Sequence, residues 1–256
     1  MTARHAPPDP RAIDTDERPF VLIWEVTQAC ELACDHCRAS ADPRRHPEEL
    51  TTAEGKELLD AASRFGDGQL VVLSGGDPMK RGDLVELVRH GTEAGLRMTL
   101  TPSGTAALTG TNIADLADAG LRRMALSVDA PERAHDAFRG ESESFRRTRE
   151  AAAAAREAGI PIQINTTVCE STVGTLPAVR DLVADLGAVL WSVFFLVPVG
   201  RGRLLEGLSP ERAESVLEWL HETAESAPFG VKPTEAPSHR RVALQRQASA
   251  HDAPEL

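Results

Sequence analysis

The stretch Val21-Leu22-Ile23-Trp24-Glu25-Val26-Thr27-Gln28-Ala29-Cys30-Glu31-Leu32-Ala33-Cys34-Asp35-His36-Cys37 decides the reading of this chain. Its first residues form an apolar, β-prone run. Directly behind them three thiols crowd together as C-x3-C-x2-C, and Cys169 is the only other cysteine in 256 residues. Disulfide scaffolds of secreted proteins spread many cysteines through a short chain, so this crowding reads instead as a metal or cluster site. A buried free cysteine behaves as a small hydrophobe. Glu31, Asp35 and Arg38 make this loop polar, however, and unsuited to plain packing.

Outward from that loop, short apolar runs alternate with helical patterns. The runs are Val21 to Thr27, Gln69 to Ser74, Arg97 to Thr101, Arg123 to Val128, Pro161 to Val168 and Val189 to Val197. Apolar on successive positions, they predict strands of a parallel sheet buried on both faces. Thr51 or Thr52 followed by Glu54 predicts a capped helix start, with Gly66 closing that helix. Further helices are expected over about Gly82 to Glu93, Thr111 to Ala119, Ser144 to Glu157 and Leu176 to Leu186, and Ser209-Pro210-Glu211 opens a last one. Regular βα alternation predicts an α/β fold with parallel strands, either an open sheet or an incomplete barrel of six units. A complete eight-fold barrel needs about 250 residues of core. The expected organisation is a flexible tail over 1–19, a partial (β/α)6 TIM-like barrel over 20–227, and a linker or tail over 228–256. Val231 to Glu235 is a candidate further strand, and Arg240, Arg241 and Arg246 read as a solvated helix face.

With 28 Lys+Arg against 39 Asp+Glu, the net charge of -11 argues against a nucleic-acid binder, which needs a basic face. The most apolar stretch, Val189 to Val199, contains Ser192 and Pro198 and is far shorter than the roughly 20 residues of a spanning helix. The first residues lack an apolar signal-peptide core, so a reducing cytoplasm with free thiols is expected.

Three thiolates on one loop suit a polynuclear centre with one metal left open. A structural zinc site is closed by four ligands, and a saturated 4Fe-4S electron carrier takes four cysteines. Zinc completed by His36 or His46 is the alternative reading. The C-x3-C-x2-C motif with His36 just before its last cysteine resembles the radical S-adenosylmethionine enzymes. So do Ser74-Gly75-Gly76-Asp77-Pro78 after the second strand and Ser127-Val128-Asp129 after the fourth. Ile164-Asn165-Thr166-Thr167-Val168 on the fifth and Pro198-Val199-Gly200-Arg201-Gly202 after the sixth extend the likeness.

The resemblance implies a 4Fe-4S cluster on Cys30, Cys34 and Cys37, whose open iron is chelated by S-adenosylmethionine. Reductive cleavage then yields a 5'-deoxyadenosyl radical that abstracts a substrate hydrogen. It further implies cofactor contacts from His36, Gly75, Gly76, Asp77, Ser103, Ser127, Asn165 and Leu196. The carbonyls of the glycine pair would face the methionine ammonium, although Asp77 stands where the family usually has Glu. Ser103 and Ser127 would meet ribose or carboxylate, and Val168, Leu196 and Val197 are candidate walls for adenine. Arg139, expected in a loop between the fourth strand and its helix, is a candidate contact to cofactor or substrate. Cys169 is expected to pack. The branch most resembled acts in peptide-cofactor and haem biosynthesis and usually carries a Cys-rich C-terminal extension, which this chain is expected to lack, with 228–256 as a remnant of it. The expected substrate is a peptide or tetrapyrrole-like intermediate, with ferredoxin or flavodoxin as electron donor. A non-catalytic iron–sulfur or zinc protein on the same scaffold is the other reading.

Overall fold

The computed structural model describes residues 13–39 and 41–251. The expected tails therefore lie partly outside the described residues. Among the described residues, seven strands follow one another in chain order in a parallel sheet. They are β1 Leu22–Thr27, β2 Leu70–Gly75, β3 Arg97–Leu100, β4 Arg123–Ser127, β5 Ile162–Val168, β6 Leu190–Phe195 and β7 Gly230–Thr234. The class is α/β, with the parallel, sequential strands of a TIM-like barrel, and β7 adds a seventh strand within the stretch read as a tail. Helices are α1 Thr52–Ser63, α2 Leu84–Glu93, α3 Gly110–Asp118, α4 Glu132–Arg139, α5 Ser144–Glu157, α6 Leu176–Asp185, α7 Pro210–Ser226 and α8 His239–His251. No described helix is long and apolar enough to cross a membrane.

The chain packs as two compact units. One comprises Met1–Leu32, Ala39–Leu126 and Arg146–Ile162; the other Ala33–Arg38, Ser127–Phe145 and Gln163–Leu256. In the first unit, α1 starts as its sequence dictates. Thr51 caps the Glu54 N–H while the Glu54 carboxylate takes the Thr51 N–H, a reciprocal capping box. Leu59 of α1 and Leu87 and Val88 of α2 are fully buried, as are Val71 and Leu73 of β2 and Met98 and Leu100 of β3. Each such side chain contributes about 1.5–3 kcal/mol on leaving water.

The expectation of strands buried on both faces holds for the middle of β4 and β6, where Met124, Ala125 and Leu126, and Trp191, Ser192 and Val193, are buried in succession, but not for β2, β3 and β5. Along β2, β3 and β5 burial alternates: Ile162, Ile164, Thr166 and Val168 are buried, whereas Gln163, Asn165 and Thr167 are half-buried. One face carries the core and the other accepts polar side chains. In the second unit the core centres on Trp191, fully buried with Trp219 and Phe229 edge-on at 6.0 and 6.3 Å. Its indole N–H donates to Thr166 Oγ1 at 2.8 Å, and that hydroxyl donates to the Val128 carbonyl at 2.7 Å. The polar handle of a buried Trp thus finds its partner.

Arg139 does not lie in the loop expected after β4. Glu132–Arg139 is a helix rather than a loop, ended by Gly140 in the left-handed conformation.

Candidate functional site

In the first unit, Cys30 leaves β1 with its N–H on the Asp42 carbonyl at 2.8 Å. Its sulfur accepts the Leu32 N–H at 3.4 Å and lies 3.8 Å from Ser103 Oγ. Against this turn runs the end of β2. The Gly76 N–H donates to the Thr27 carbonyl at 2.8 Å and the Asp77 N–H to that of Ala29 at 2.7 Å. Such a close crossing leaves no room for side chains. At Gly75, with φ +131°, a Cβ would lie 2.2 Å from the Thr27 oxygen, and at Gly76 it would lie 2.5 Å from the oxygens of Gln28 and Ala29. The backbone leading to Cys30 therefore accounts for both glycines.

Asp77 is fully buried. One carboxylate oxygen accepts the N–H groups of Met79 and Ser103 at 3.1 and 3.3 Å, and the other accepts Thr105 Oγ1 at 2.6 Å. Burial pushes its carboxyl up against those three bonds. Asp77 is thus engaged in tying the β2 loop to the β3 loop, and Ser103 Oγ completes the tie on the Gly76 carbonyl at 3.2 Å.

In the second unit, Cys34 is buried and the Cys37 N–H donates to its carbonyl at 3.2 Å. Burial raises the Cys34 thiol, opposed by Arg139. Arg139 reaches Cys34 Sγ with Nη1 at 3.9 Å while Nε and Nη2 hold Asp129 Oδ2 at 2.7 and 2.6 Å. The other Asp129 oxygen accepts the Thr167 N–H at 2.8 Å. Desolvation opposes ionisation of Asp129, but the guanidinium holds its carboxyl below the ordinary range. Asp129 N–H donates to His135 Nδ1 at 3.2 Å, so the proton of His135 sits on Nε2, facing Ser144 Oγ at 3.4 Å. Burial first, then Arg139, lowers His135 to about 4, leaving it neutral at pH 7.

His36 stacks on Phe138 at 4.7 Å, and burial, then Arg139, lowers it to about 4 as well. The turn after β6 also docks on this loop. Arg201 donates Nε–H to the Cys34 carbonyl at 2.8 Å and its backbone N–H to that of Cys37 at 2.9 Å. Gly200, at φ +55°, is required there because a Cβ would stand 2.4 Å from the Cys37 oxygen. Of the other expected residues in this unit, Ser127 is half-buried at the end of β4 and Asn165 accepts from Gln163 at 2.8 Å. Leu196 is half-buried, Val168 is core and Val197 is exposed. Cys169 is buried against Ser171 and Thr172.

Sequence reading missed Arg81, whose Nη1 donates to the carbonyls of Val26 and Leu50, both at 3.0 Å, while Nε and Nη2 grip Asp83. No motif marks it. Arg201 was legible only as one letter of a glycine-rich turn.

None of the four cysteines is in a disulfide. Among the described residues no three His, Cys, Asp or Glu side chains gather as for a single metal ion. In the second unit the Cys34 sulfur, which already accepts an N–H from Arg139, nevertheless suits a group bound through sulfur, because a metal would displace the thiol proton. Two buried polar atoms beside Cys34 and Cys37, His36 Nδ1 and Arg201 Nη2, have no partner among the described residues. Buried polar groups normally have one, so these suit a ligand.

This chain is 38% identical over 241 residues to the AdoMet-dependent heme synthase of Oleidesulfovibrio alaskensis, covering 93% of this chain and 62% of that protein. It is 34% identical over 171 residues to the PqqA peptide cyclase of Bradyrhizobium diazoefficiens, covering 66% of this chain and 44% of that one. It therefore spans less than two thirds of either relative. Streptococcus suis SuiB bound to S-adenosylmethionine shares its fold, with TM-score 0.70 at 16% identity over 85% of this chain and 51% of SuiB. Residues 24–176, more than half the chain, match the Radical SAM superfamily, and the chain belongs to that superfamily.

Proposed function

We propose that this chain is the core of a radical SAM enzyme that binds a 4Fe-4S cluster through Cys30, Cys34 and Cys37 and abstracts hydrogen from a tetrapyrrole-like intermediate. The observation that carries this reading is the C-x3-C-x2-C loop behind β1 in a chain that resembles a heme synthase along 93% of its length. Bound there, the cluster would supply one electron for homolytic cleavage of the S-adenosylmethionine sulfonium.

The protein's own part is positional. Asp77 and Ser103 brace the loop that runs past Cys30, leaving a Gly76 carbonyl lone pair for an ammonium donor. His36, neutral at pH 7, offers a flat ring and an unpartnered Nδ1 to a heterocycle. Ser127 and Asn165 are half-buried polar groups suited to sugar or carboxylate, with Leu196 as an apolar wall. A ferredoxin or flavodoxin is the electron source in this reading.

Anaerobic reconstitution should give a brown protein that forms 5'-deoxyadenosine from S-adenosylmethionine with dithionite and accelerates when a tetrapyrrole substrate is added. A colourless protein holding one zinc ion overturns the cluster assignment. Cys30→Ala, Cys34→Ala and Cys37→Ala should each lose the cluster and Cys169→Ala should keep it. The likeness to PqqA peptide cyclase favours a peptide as second reading, and deuterium transfer from a labelled peptide rather than a porphyrin would select it.

A further inference from the structure

Arg139 has a partner in the protein for each of its three nitrogens. Asp129, fully buried, binds two of them, and its second oxygen is taken by the Thr167 N–H. Swinging the guanidinium out to a ligand would strand the Asp129 carboxylate, and breaking a buried pair of this kind is strongly destabilising. The remaining nitrogen faces the sulfur of Cys34, while Arg201 holds the carbonyl of the same residue. Cys34 is thus fixed at both ends by cations from α4 and from the turn after β6.

We propose that Arg139 is a positioning residue for Cys34 rather than a cofactor or substrate arm: it donates N–H to the sulfur, and its charge, partly offset by Asp129, sets how readily a cluster on that sulfur accepts an electron. The proposal rests on the cluster assignment above. Its physical basis is that hydrogen bonds to ligand sulfurs and net local charge are levers on cluster potential. A nearby cation favours the reduced, more negative form, and a nearby anion disfavours it.

The test is an EPR-monitored redox titration of the reconstituted full chain without S-adenosylmethionine, with cofactor affinity measured separately. Arg139→Gln should lower the midpoint by about tenfold in the reduction equilibrium, about 59 mV for one electron. Arg139→Lys, which keeps the charge, should lie nearer wild type. Asp129→Asn should shift the midpoint the opposite way, upward. Opposite signs are not produced by general loosening of the loop; shifts of the same sign in both overturn the proposal. An unchanged midpoint in Arg139→Gln with weakened S-adenosylmethionine binding also overturns it, showing a ligand arm. Should Arg139→Gln hold no cluster, Arg139→Lys and Asp129→Asn decide by the sign of their shifts. A wild-type protein that binds no cluster defeats the preceding reading, whereas a clustered wild type with unmoved variants defeats this one alone.

Discussion

At Gly76 a Cβ would meet two carbonyl oxygens at 2.5 Å, both from the backbone running to Cys30. Neither oxygen belongs to a flexible side chain, so Gly76→Ala must push two chain segments apart. We expect it to cost about 1–3 kcal/mol, the range for overpacking, read as a lowered urea midpoint. Gly82, with nothing near its would-be Cβ, is the control: Gly82→Ala should leave the midpoint close to wild type. The glycine pair was legible in Ser74-Gly75-Gly76-Asp77-Pro78, but its reason was not. Sequence suggested close approach to a ligand, while the contact that forbids a Cβ comes from Gln28 and Ala29, which only the pairing of β1 with β2 brings near.

At the scale of elements, Arg81 joins three pieces of the first unit. It bonds the end of β1 at Val26, the approach to α1 at Leu50 and, through Asp83, the start of α2, and it lies over the Trp24 ring at 5.6 Å. Its side chain is 1% exposed. Arg81→Met should therefore cost about 3–5 kcal/mol in chemical denaturation, because Asp83 and two carbonyls lose their donor. The contrast is α8, where Arg241 and Arg246 pair with Glu214 and Glu222 of α7 on exposed surface. Arg241→Gln or Arg246→Gln should each change stability by less than about 1 kcal/mol, as exposed pairs do. Helix starts were readable because Thr51 and Ser209 cap through their own side chains. The helix at α4 was read as loop, since Pro131 gives it no side-chain cap and only eight residues carry it.

Over the whole molecule, charge acts through a few carboxylates. Arg81, outweighing desolvation, holds Asp83 at about 2, and Glu49 also sits at about 2 because bonds from Thr27, Arg45, Gln28 and His46 outweigh its desolvation. Ordinary values are about 3.9 and 4.3. Folded values below unfolded ones mean that this stabilisation is present above about pH 5 and lost as the pH falls through 4 toward 2. Thermal midpoints should fall across that window, and Asp83→Asn should flatten the fall at the expense of a lower midpoint at pH 7. The surplus of 39 acidic over 28 basic residues sets a further expectation: no shift of duplex DNA or RNA in a gel at low salt, where any phosphate binding is strongest.

The amino-acid sequence by itself determined the α/β class, most strand and helix positions, and the three thiols that make the loop after β1 chemically distinct. Those are properties of near neighbours: apolar runs, caps a few residues apart, and the fixed spacing of Cys30, Cys34 and Cys37. Only the tertiary structure decided what Asp77, Arg81, Arg139 and Arg201 do. Each has at least one partner far along the chain, Thr105 for Asp77, Val26 for Arg81 and Cys34 for Arg139 and Arg201, and a buried charge takes its role from whatever the fold places within hydrogen-bond reach of it.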